Sequence, residues 1–419
     1  MTAFDPDSLA RLSAGAPSWR GDAMEAAYRV FESMEEPSGA EDDWRYVDYD
    51  MPFSGLEPVG EPGPMLPAGP FVSALPEVSG RVAIVDGTVV AAASEGAEVQ
   101  ALSGIEAERY TTRVPTDHNK LAAAHSAFAH DGVFVDFAPG SVTAAPLLIE
   151  VQATAAGTAS FPHVSVHVGE NAEARVVVIY RSAAGVELLM VPEIDLEVGN
   201  GANLRFLSVQ NLDHAASCVV HQRMRLGRDA TGRLGEVGLG SSFGRLDLAV
   251  DLEGDGCSAE TVGLYFGEGS QILDYRMMIR HSGRNTSSDV FLKGAVEDAA
   301  ESVFTGLLRI EKAAVRTSTF ETNRNLVLSE NAKANSIPKL EILCDDVICG
   351  HASSVGPLEE ENLYYLQSRG LTRPRAERLL IKGFFQEVVD RLPIQGLGEP
   401  ISDEVFRRFV TAQIEGRVA

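Results

Sequence analysis

The chain has 419 residues, of which 45% are hydrophobic and 23% are charged, a composition typical of a folded globular protein. Its formal charge of −25 repels phosphate backbones and anionic lipid surfaces, so we expect neither nucleic acid nor a membrane as a partner. No apolar stretch reaches the roughly 20 residues of a membrane span, and the first residues are acidic where a signal peptide is basic, so we expect a cytoplasmic protein.

Residues 1–78 are predicted to form an N-terminal helical region followed by a linker. Apolar residues between Pro17 and Met34 recur at steps of three and four, the spacing of a helix with one buried face. Between Pro52 and Pro70, ten of nineteen residues are proline or glycine, which blocks both helices and sheet ladders. We interpret this second stretch as a linker or a loop that follows the protein surface.

Residues 79–356 are predicted to be nearly all β. Short runs rich in Val, Ile, Leu and Thr, separated by turns that contain glycine, extend from about Ser79 to about Ser353. One helix is expected between His118 and Ala129, where strong helix formers occur without a β-branched residue.

A weak repeat runs through the β region and favours a stack of coils. A period of 20 to 50 residues is typical of solenoids, in which each rung buries its apolar face against its neighbours, whereas a sandwich has no such long period. The alternative is that glycine near a small residue marks any ordinary β turn. The repeated units, at steps of 30, 28 and 27 residues, begin at Val168-Gly169-Glu170-Asn171-Ala172, Val198-Gly199-Asn200-Gly201-Ala202, Gly227 with Ala230, and Gly254 with Cys257.

Residues 357–419 are predicted to form a small C-terminal helical domain. The first helix covers Leu358–Arg369 and ends before Gly370, and the second begins at Thr372 with a proline in its first turn and ends before Pro393. A third helix is predicted over Ser402–Glu415, with Ser402 or Asp403 as its N-terminal cap.

Known enzyme motifs provide no complete catalytic site. Gly240-Ser241-Ser242-Phe243-Gly244 fits the nucleophile elbow of α/β-hydrolases, but that motif requires a strand before it and a helix after it, and here a β pattern lies on both sides. There is no Walker A sequence, no complete G-x-G-x-x-G, no C-x-x-C and no H-E-x-x-H. We therefore expect no enzyme activity of its own, and any ATP hydrolysis to come from a partner.

Four cysteines in so long a chain are too few for a disulfide framework, so we expect reduced thiols. Each is either a small buried hydrophobe or a soft metal ligand. The sequence assigns no role to Cys218, Cys257 or Cys344.

The one candidate site is Cys349 with His351. On a strand, side chains two residues apart lie on the same face, so this pair could offer a soft and a borderline ligand to iron, while Cys344 need not share that face. Two ligands do not complete a tetrahedral site, and the others would come from elsewhere in the fold or from another subunit. The alternative, which the spacing alone favours, is a buried cysteine beside a histidine bonded to a backbone carbonyl.

Three further histidines lie three to seven residues apart, so they could share a face of one helix near its end. We interpret His118, His125 and His130 as structural, because no cysteine or carboxylate pattern accompanies them in the sequence.

The region around this candidate site resembles the SufB/SufD family of iron–sulfur cluster assembly scaffolds. The resemblance covers most of the chain and is densest between Asn323 and Gly370. The matching segments are Thr322-Asn323-Arg324-Asn325-Leu326, Pro338-Lys339-Leu340-Glu341-Ile342, Asp345-Asp346-Val347, Cys349-Gly350-His351, Val355-Gly356-Pro357-Leu358, Tyr364-Tyr365-Leu366 and Ser368-Arg369-Gly370, with further matches at Gln271–Arg276, Phe291–Gly294 and Asp43–Tyr46.

Particular positions favour the SufD branch of this family over the SufB branch. Where SufB has a functional cysteine, six residues before the proline that matches Pro338, this chain has Ala332. SufB tends to carry a glutamate after the histidine that matches His351, whereas Ala352 follows here. The longer N-terminal region of SufB has no counterpart in this sequence.

The resemblance implies a mainly β fold, with a right-handed parallel β-helix core between N- and C-terminal helical domains. It implies two partners, SufB, which pairs through the β-helix cores, and SufC, an ABC-type ATPase that docks on the C-terminal helical domain. It also implies that an iron–sulfur cluster is assembled transiently at the SufB interface near His351, with Cys349 as a second participant. The function expected is therefore that of an assembly scaffold.

Two other functions remain open from the sequence. One is a β-helix enzyme acting on polysaccharides, although such enzymes are commonly secreted and line a groove with acidic residues. The other is a homodimeric adaptor that works without SufB. Only the scaffold hypothesis predicts an ATPase and a paralogous β-helix protein in the same complex.

Overall fold

The computed structural model describes residues 3–47, 53–75, 77–109 and 112–415, so Pro52, the first residue of the expected linker, lies outside the described residues. The described residues contain seven α-helices and twenty-two strands. The helices are α1 Pro6–Ser13, α2 Ser18–Ser33, α3 Pro70–Ala74, α4 Lys120–Phe128, α5 Glu360–Ser368, α6 Arg373–Val389 and α7 Gly398–Glu415.

The strands lie almost entirely between the N-terminal and C-terminal helices. The first eleven are β1 Glu57–Pro58, β2 Gly80–Val85, β3 Thr88–Ser94, β4 Glu98–Ala101, β5 Val133–Phe137, β6 Leu147–Ala153, β7 Thr158–Ser160, β8 His163–Val168, β9 Glu173–Ser182, β10 Leu188–Met190 and β11 Glu193–Val198. The others are β12 Asn203–Gln210, β13 Ala216–Leu226, β14 Thr231–Gly238, β15 Phe243–Leu252, β16 Ser258–Gly267, β17 Ile272–His281, β18 Ser287–Val296, β19 Glu301–Ile310, β20 Thr317–Val327, β21 Lys333–Ile342 and β22 Val347–Gly356.

The strands form two long sheets that wind into a parallel solenoid. Sheet 1 has the order β21-β19-β17-β15-β13-β11-β8-β5-β4, and sheet 2 has the order β22-β20-β18-β16-β14-β12-β9-β6-β2-β3. From β5 and β6 onward the chain alternates between the sheets, and each strand pairs in parallel with its equivalent one rung earlier. The prediction of a mainly β protein with a parallel β-helix core and helices at both ends is confirmed.

The strands are apolar on both faces because both faces are buried. In β9, Val176, Val178 and Tyr180 point into the solenoid, while Val177 and Ile179 pack against the helices that cover sheet 2. A strand enclosed in this way carries a continuous hydrophobic run rather than an alternating pattern. This explains why the β region has runs of Val, Ile and Leu.

The repeat noted in the sequence is the turn from sheet 1 to sheet 2. The amide of each repeat glycine donates to a carbonyl of the turn below, as from Gly199 to Val168 and from Gly254 to Leu226. A Cβ on Gly254 would lie 2.1 Å from the backbone nitrogen of Arg228, so only glycine allows this stacking. Two residues later, each turn has a left-handed residue with φ between +53° and +76°: Asn171, Gly201, Asp229, Gly256 and Asn285.

The two ends of the solenoid differ. At one end, antiparallel pairing of β3 with β2 and of β4 with β5 terminates the parallel stack. At the other end, β21 and β22 pair on one side only, with β19 and β20, among the described residues. Both ends therefore have unpaired strand edges among the described residues, but only the end formed by β21 and β22, which we call the open end, continues the parallel stack to its edge.

Helices cover the outer faces of both sheets. Residues of α1, α2 and α4 form one hydrophobic cluster with sheet 1, and residues of α6 and α7 form another with sheet 2. Buried Lys293 of β18 fastens α6, because its Nζ donates to the Phe384 carbonyl at 2.8 Å and to Glu387 Oε2 at 2.7 Å. None of the described helices is long and apolar enough to cross a membrane.

The predicted helices are confirmed apart from one boundary. Helices α2, α4, α5 and α6 lie within the predicted segments, and the segment after Phe53 contains a 3₁₀ turn and the two-residue strand β1. Helix α7 begins at Gly398, four residues before the predicted cap at Ser402. The prediction was wrong because Pro400 is tolerated in the first helical turn, where its missing amide hydrogen would have no partner. Sequence analysis also missed α1, whose cap, Asp5, accepts a hydrogen bond from the Ser8 amide.

The stacked turns lead to a stability prediction. We expect Gly254→Ala to lower the free energy of unfolding by about 1–3 kcal/mol, because the added methyl collides with backbone of the turn below. Thermal and urea unfolding measure the effect. Gly383→Ala is the matched control, since Gly383 lies exposed in α6 with open space around its Cα, and it should leave stability unchanged or raise it. Equal stability of the two variants would contradict the role of the turn glycine.

Candidate functional site

Cys349 and His351 lie on β22, the last strand of sheet 2. They are in register with Thr319 and Glu321 of β20, and Glu321 is in turn in register with Val290 of β18. Val290 and Glu321 are buried inside the solenoid, whereas His351 is exposed and Cys349 half-buried at its open end. The pair therefore shares one face and lies over the mouth of the interior.

A buried carboxylic acid, Glu321, forms the floor of this mouth. It is 2% exposed, and its Oε2 makes no hydrogen bond with any described residue. Burial raises the pKa of Glu321 to about 7, because the charged form loses its hydration. Its side chain crosses the interior toward sheet 1, where a Cβ on Gly306 would collide with the carboxylate.

The thiol of Cys349 is held in its protonated form. Burial raises the pKa of Cys349, and the charge of Glu321 adds to the shift. Cys344, from the turn before β22, is buried beside Ile310 and Ala314, in a small cluster that Cys349 also contacts. A metal ion bound by Cys349 would have to displace the thiol proton, since thiolates are the ligands.

The interior beneath the mouth is unusually polar for a solenoid core. Tyr265 Oη donates to Asn325 Oδ1 at 2.5 Å, and Asn325 Nδ2 donates to Asn323 Oδ1 at 2.6 Å. Sequence analysis did not identify this network. The available signal was the alternation of Glu321, Asn323 and Asn325 along β20, which places polar side chains in register with Val290, Leu292 and Gly294 of the preceding strand β18.

The rim of the open end is apolar and exposed. Ile348 of β22 is 76% exposed, and further large apolar side chains of the last rungs are more than one-third exposed. Exposed apolar side chains next to open strand edges are typical of a protein interaction surface. The rim residues are Phe320, Leu340, Ile342, Leu343, Ile348 and Val355.

The remaining sequence candidates have structural roles. Cys218 and Cys257 are buried in the main core, and burial raises the pKa of Cys257 to about 12. Ser241 of the G-x-S-x-G match is buried in the turn between β14 and β15, where it accepts a hydrogen bond from Gln210 at 2.8 Å. Strands on both sides of this turn confirm that the match is not a nucleophile elbow.

The interpretation of the other histidines needs a correction. Only His125 lies within α4, because His118 precedes the helix and His130 follows it. Carboxylates do accompany them: His118 Nε2 lies 2.6 Å from Asp247 Oδ2, and His125 Nδ1 lies 3.0 Å from Glu193 Oε2. This pattern was not visible in the sequence, because the carboxylates come from β11 and β15 of sheet 1, far along the chain from the histidines.

The chain was compared with known proteins. Residues 151–384 match the family described as "SUF system FeS cluster assembly, SufBD core domain". The iron–sulfur cluster assembly SufBD family protein Rv1462 of Mycobacterium tuberculosis is 33% identical over 298 residues, 69% of this chain and 73% of its own. SufD of Bacillus subtilis is 30% identical, covering 70% and 68% of the two chains, and SufD of Escherichia coli is 25% identical, covering 89% of each. These names describe assembly proteins, not enzymes.

A second buried acid in the solenoid makes stability depend on pH. Glu236 accepts hydrogen bonds from Ser208 and Gln222, yet burial raises its pKa to about 7 from an ordinary 4.5. Between these values the unfolded chain loses this proton while the folded chain keeps it. The stability that Glu236 contributes is thus present below about pH 4.5 and lost as the pH rises through about 7.

We predict that Glu236→Gln removes this part of the pH dependence, because an amide does not ionise. Relative to wild type, the variant should gain in melting temperature as the pH rises from about 4.5 to about 7, and the difference should level off above that. Thermal unfolding across the pH range measures it. A difference that stays constant with pH would contradict the prediction.

Proposed function

Because this chain belongs to the SufBD core family of the SUF iron–sulfur cluster assembly system, we propose that it is a scaffold subunit that builds clusters together with a SufB chain and a SufC ATPase. The observation that carries this proposal is the open last rung, where Cys349 and His351 lie over the mouth of the solenoid beside unpaired strand edges.

The open end is the surface that we assign to SufB. Strands β21 and β22 offer backbone donors and acceptors on their outer edges, and the apolar rim surrounds them. A partner with a β-helix of its own could continue the sheets by strand addition, so that main-chain hydrogen bonds and apolar burial act together. At the other end, the outer edges of β3 and β4 are also unpaired among the described residues, but these strands run antiparallel to their neighbours and do not continue the parallel stack.

The iron–sulfur cluster is the cargo of this interface. His351 is exposed at the mouth, so its imidazole can bind iron without rearrangement of the fold. Cys349 is the second ligand. Burial disfavours its thiolate, and the positive charge of iron offsets this cost. The remaining ligands come from SufB, since Ala332, where SufB has its cysteine, is 6% exposed and packs against Val296 and Ala300.

The outer surface of the C-terminal helices is assigned to SufC. Their inner surface is buried on sheet 2, but Tyr364 and Tyr365 of α5 are 74% and 56% exposed, and Leu379 of α6 is 51% exposed. An exposed apolar patch marks a candidate protein interaction surface, and the family resemblance implies that the ATPase partner docks on these helices. We accordingly assign no enzyme activity to this chain, and we place the complex in the cytoplasm.

The proposal divides the chain into the three segments expected from the sequence. Among the described residues, α1 and α2 of the first segment cover sheet 1, its helix α3 packs on sheet 2 with α6 and α7 of the last segment, and the middle segment 79–356 contains the solenoid. A homodimeric adaptor would use the same open end, so partner identity decides between the two functions. Family membership argues against a polysaccharide-active enzyme.

We predict that His351→Ala lowers the rate of cluster formation by the purified complex by at least roughly tenfold, because a ligand of iron is lost. The complex should still assemble, because the His351 side chain is exposed. Cluster formation is followed by visible absorbance under anaerobic reconstitution. His167→Ala is the control, since its side chain is 42% exposed on β8, far from the mouth. Formation at the wild-type rate would show that His351 is not a ligand.

We predict that Ile348→Asp abolishes association with SufB, because a carboxylate would have to be desolvated inside the interface. Co-purification from native lysate, with both partners identified by mass spectrometry, measures the loss. Val142→Asp is the matched control, since Val142 is 68% exposed and lies away from the open end.

A reciprocal variant separates the two partner surfaces. Tyr364→Ser should weaken SufC binding and retain SufB, whereas Ile348→Asp should retain SufC. If wild-type chain were recovered only as pairs with itself, the homodimeric adaptor would replace the present proposal.

A further inference from the structure

A ladder of ionisable side chains runs across the outer face of sheet 1. On four successive rungs His163, Glu193, His221 and Asp247 stand in register, and all four are nearly or fully buried beneath the segment that contains α4. Adjacent strands are about 4.8 Å apart, so neighbouring members of such a ladder contact one another. The function proposed above uses none of them.

Three elements bring one compact group of nitrogen and oxygen ligands together. His125 of α4, His163 of β8 and Glu193 of β11 each place one ligand atom within 4.8 Å of the other two. The three residues are 2%, 1% and 1% exposed. The alanines of α4 allow this approach, because Ala122, Ala123 and others are fully buried and let the helix lie close to the sheet.

A second acid, Asp195, is the fourth candidate ligand of the group. Asp195 follows Glu193 by two residues on β11, so both carboxyls lie on the same face. Its Oδ1 accepts a hydrogen bond from the Arg113 amide at 3.0 Å, whereas its Oδ2 lies 3.8 Å from His163 Nε2 and makes no hydrogen bond with any described residue. Two buried carboxyls side by side require a proton or a cation between them.

The contacts around the group fit ligands that are already oriented. The Thr112 hydroxyl donates to Glu193 Oε1, and the other carboxylate oxygen, Oε2, faces His125 Nδ1. His125 Nε2 lies 3.3 Å from the Pro162 carbonyl, so with its proton on Nε2 the ring presents Nδ1 as a lone-pair donor. Metal-binding histidines usually donate their other ring hydrogen to a carbonyl or a carboxylate in this way.

We propose that His125, His163 and Glu193 bind one divalent transition-metal ion, with Zn²⁺ as the first choice, and that Asp195 Oδ2 supplies the fourth ligand. Two imidazole nitrogens with carboxylate oxygens form a ligand set that suits Zn²⁺ or Fe²⁺. The ion would join α4 to β8 and β11, and so fasten the helices that cover sheet 1 to the solenoid. It is a structural site, separate from the cluster cargo at the mouth.

The neighbouring group is a poorer site and provides a control. His118, His221 and Asp247 are equally close together, but the Arg223 guanidinium lies 3.0 Å from Asp247 Oδ1, and Asn119 Nδ2 lies 3.2 Å from His221 Nε2. A dication there would face a guanidinium that already neutralises the carboxylate. Near the first group, the Arg20 guanidinium donates to the Ala129 carbonyl at 2.7 Å.

The test uses the full chain, purified through a tag without histidines after growth with Zn²⁺, or refolded with Co²⁺. We expect about one equivalent of Zn²⁺ per chain by elemental analysis, and the visible absorption of four-coordinate Co²⁺. His125→Asn and the isosteric Glu193→Gln should each lower the retained metal at least roughly tenfold. His118→Asn should retain it, because that histidine belongs to the neighbouring group.

The alternative is an ion pair without metal, in which a His125 imidazolium lies between Glu193 and the Pro162 carbonyl. Wild-type chain that holds no Zn²⁺ and gives no Co²⁺ absorption would establish that alternative and overturn the proposal, whether or not any variant folds. Retention of metal by both His125→Asn and Glu193→Gln would also overturn it. A Cys349→Ala/His351→Ala variant should keep the full equivalent, so this result is independent of the cluster site.

Discussion

Every strand of the solenoid is stabilised by the strands one rung before and after it, and the last rung lacks the second of these neighbours. This condition determines what β22 can do. Its inward residues, Cys349 and His351, continue a column that is buried in every earlier rung, so they would be core residues if another rung followed. In the isolated chain these side chains are exposed or half-buried, and a partner that continued the stack would bury them.

The same geometry explains why the core changes character toward this end. In the middle of the solenoid, positions such as Val176 and Phe206 are filled by apolar side chains that pack across the interior. Near the mouth, Glu321 takes the position that Val176 and Phe206 take in the middle, and the two asparagines of β20 lie beside it. Buried polar groups are weak evidence for stability, and these lie directly below the proposed cluster site.

Much of the fold could be predicted from the sequence because it depends on local, repeated signals. The step between Gly199, Gly227 and Gly254 reports the rung length, and the residues around Gly370 report the first helix break of the C-terminal domain. The candidate pair on β22 follows from strand periodicity alone. What lies beneath it does not, because Glu321 is thirty residues away and only the register brings it under His351.

The ladder of ionisable side chains on sheet 1 was not predicted from the sequence, for a related reason. His163 and Glu193 are separated by the same thirty residues as the first two turn repeats, so a search at the rung period would have paired them. His125 could not have been added in this way, because its position depends on how α4 packs across the sheet. In a solenoid, side-chain clusters between strands of one sheet can therefore be predicted from the rung period. Clusters between a sheet and the helices that cover it cannot.

The antiparallel pairs at the start of the solenoid have a consequence for assembly. A parallel stack open at both ends can add copies indefinitely, as heterologous contacts do when they generate fibres. Here β3 and β4 run antiparallel to β2 and β5, so the two ends of the stack offer strand edges of opposite direction. A copy added head to tail would bring an antiparallel strand against β21 or β22, so the parallel pairing that builds the solenoid does not continue from one chain into the next.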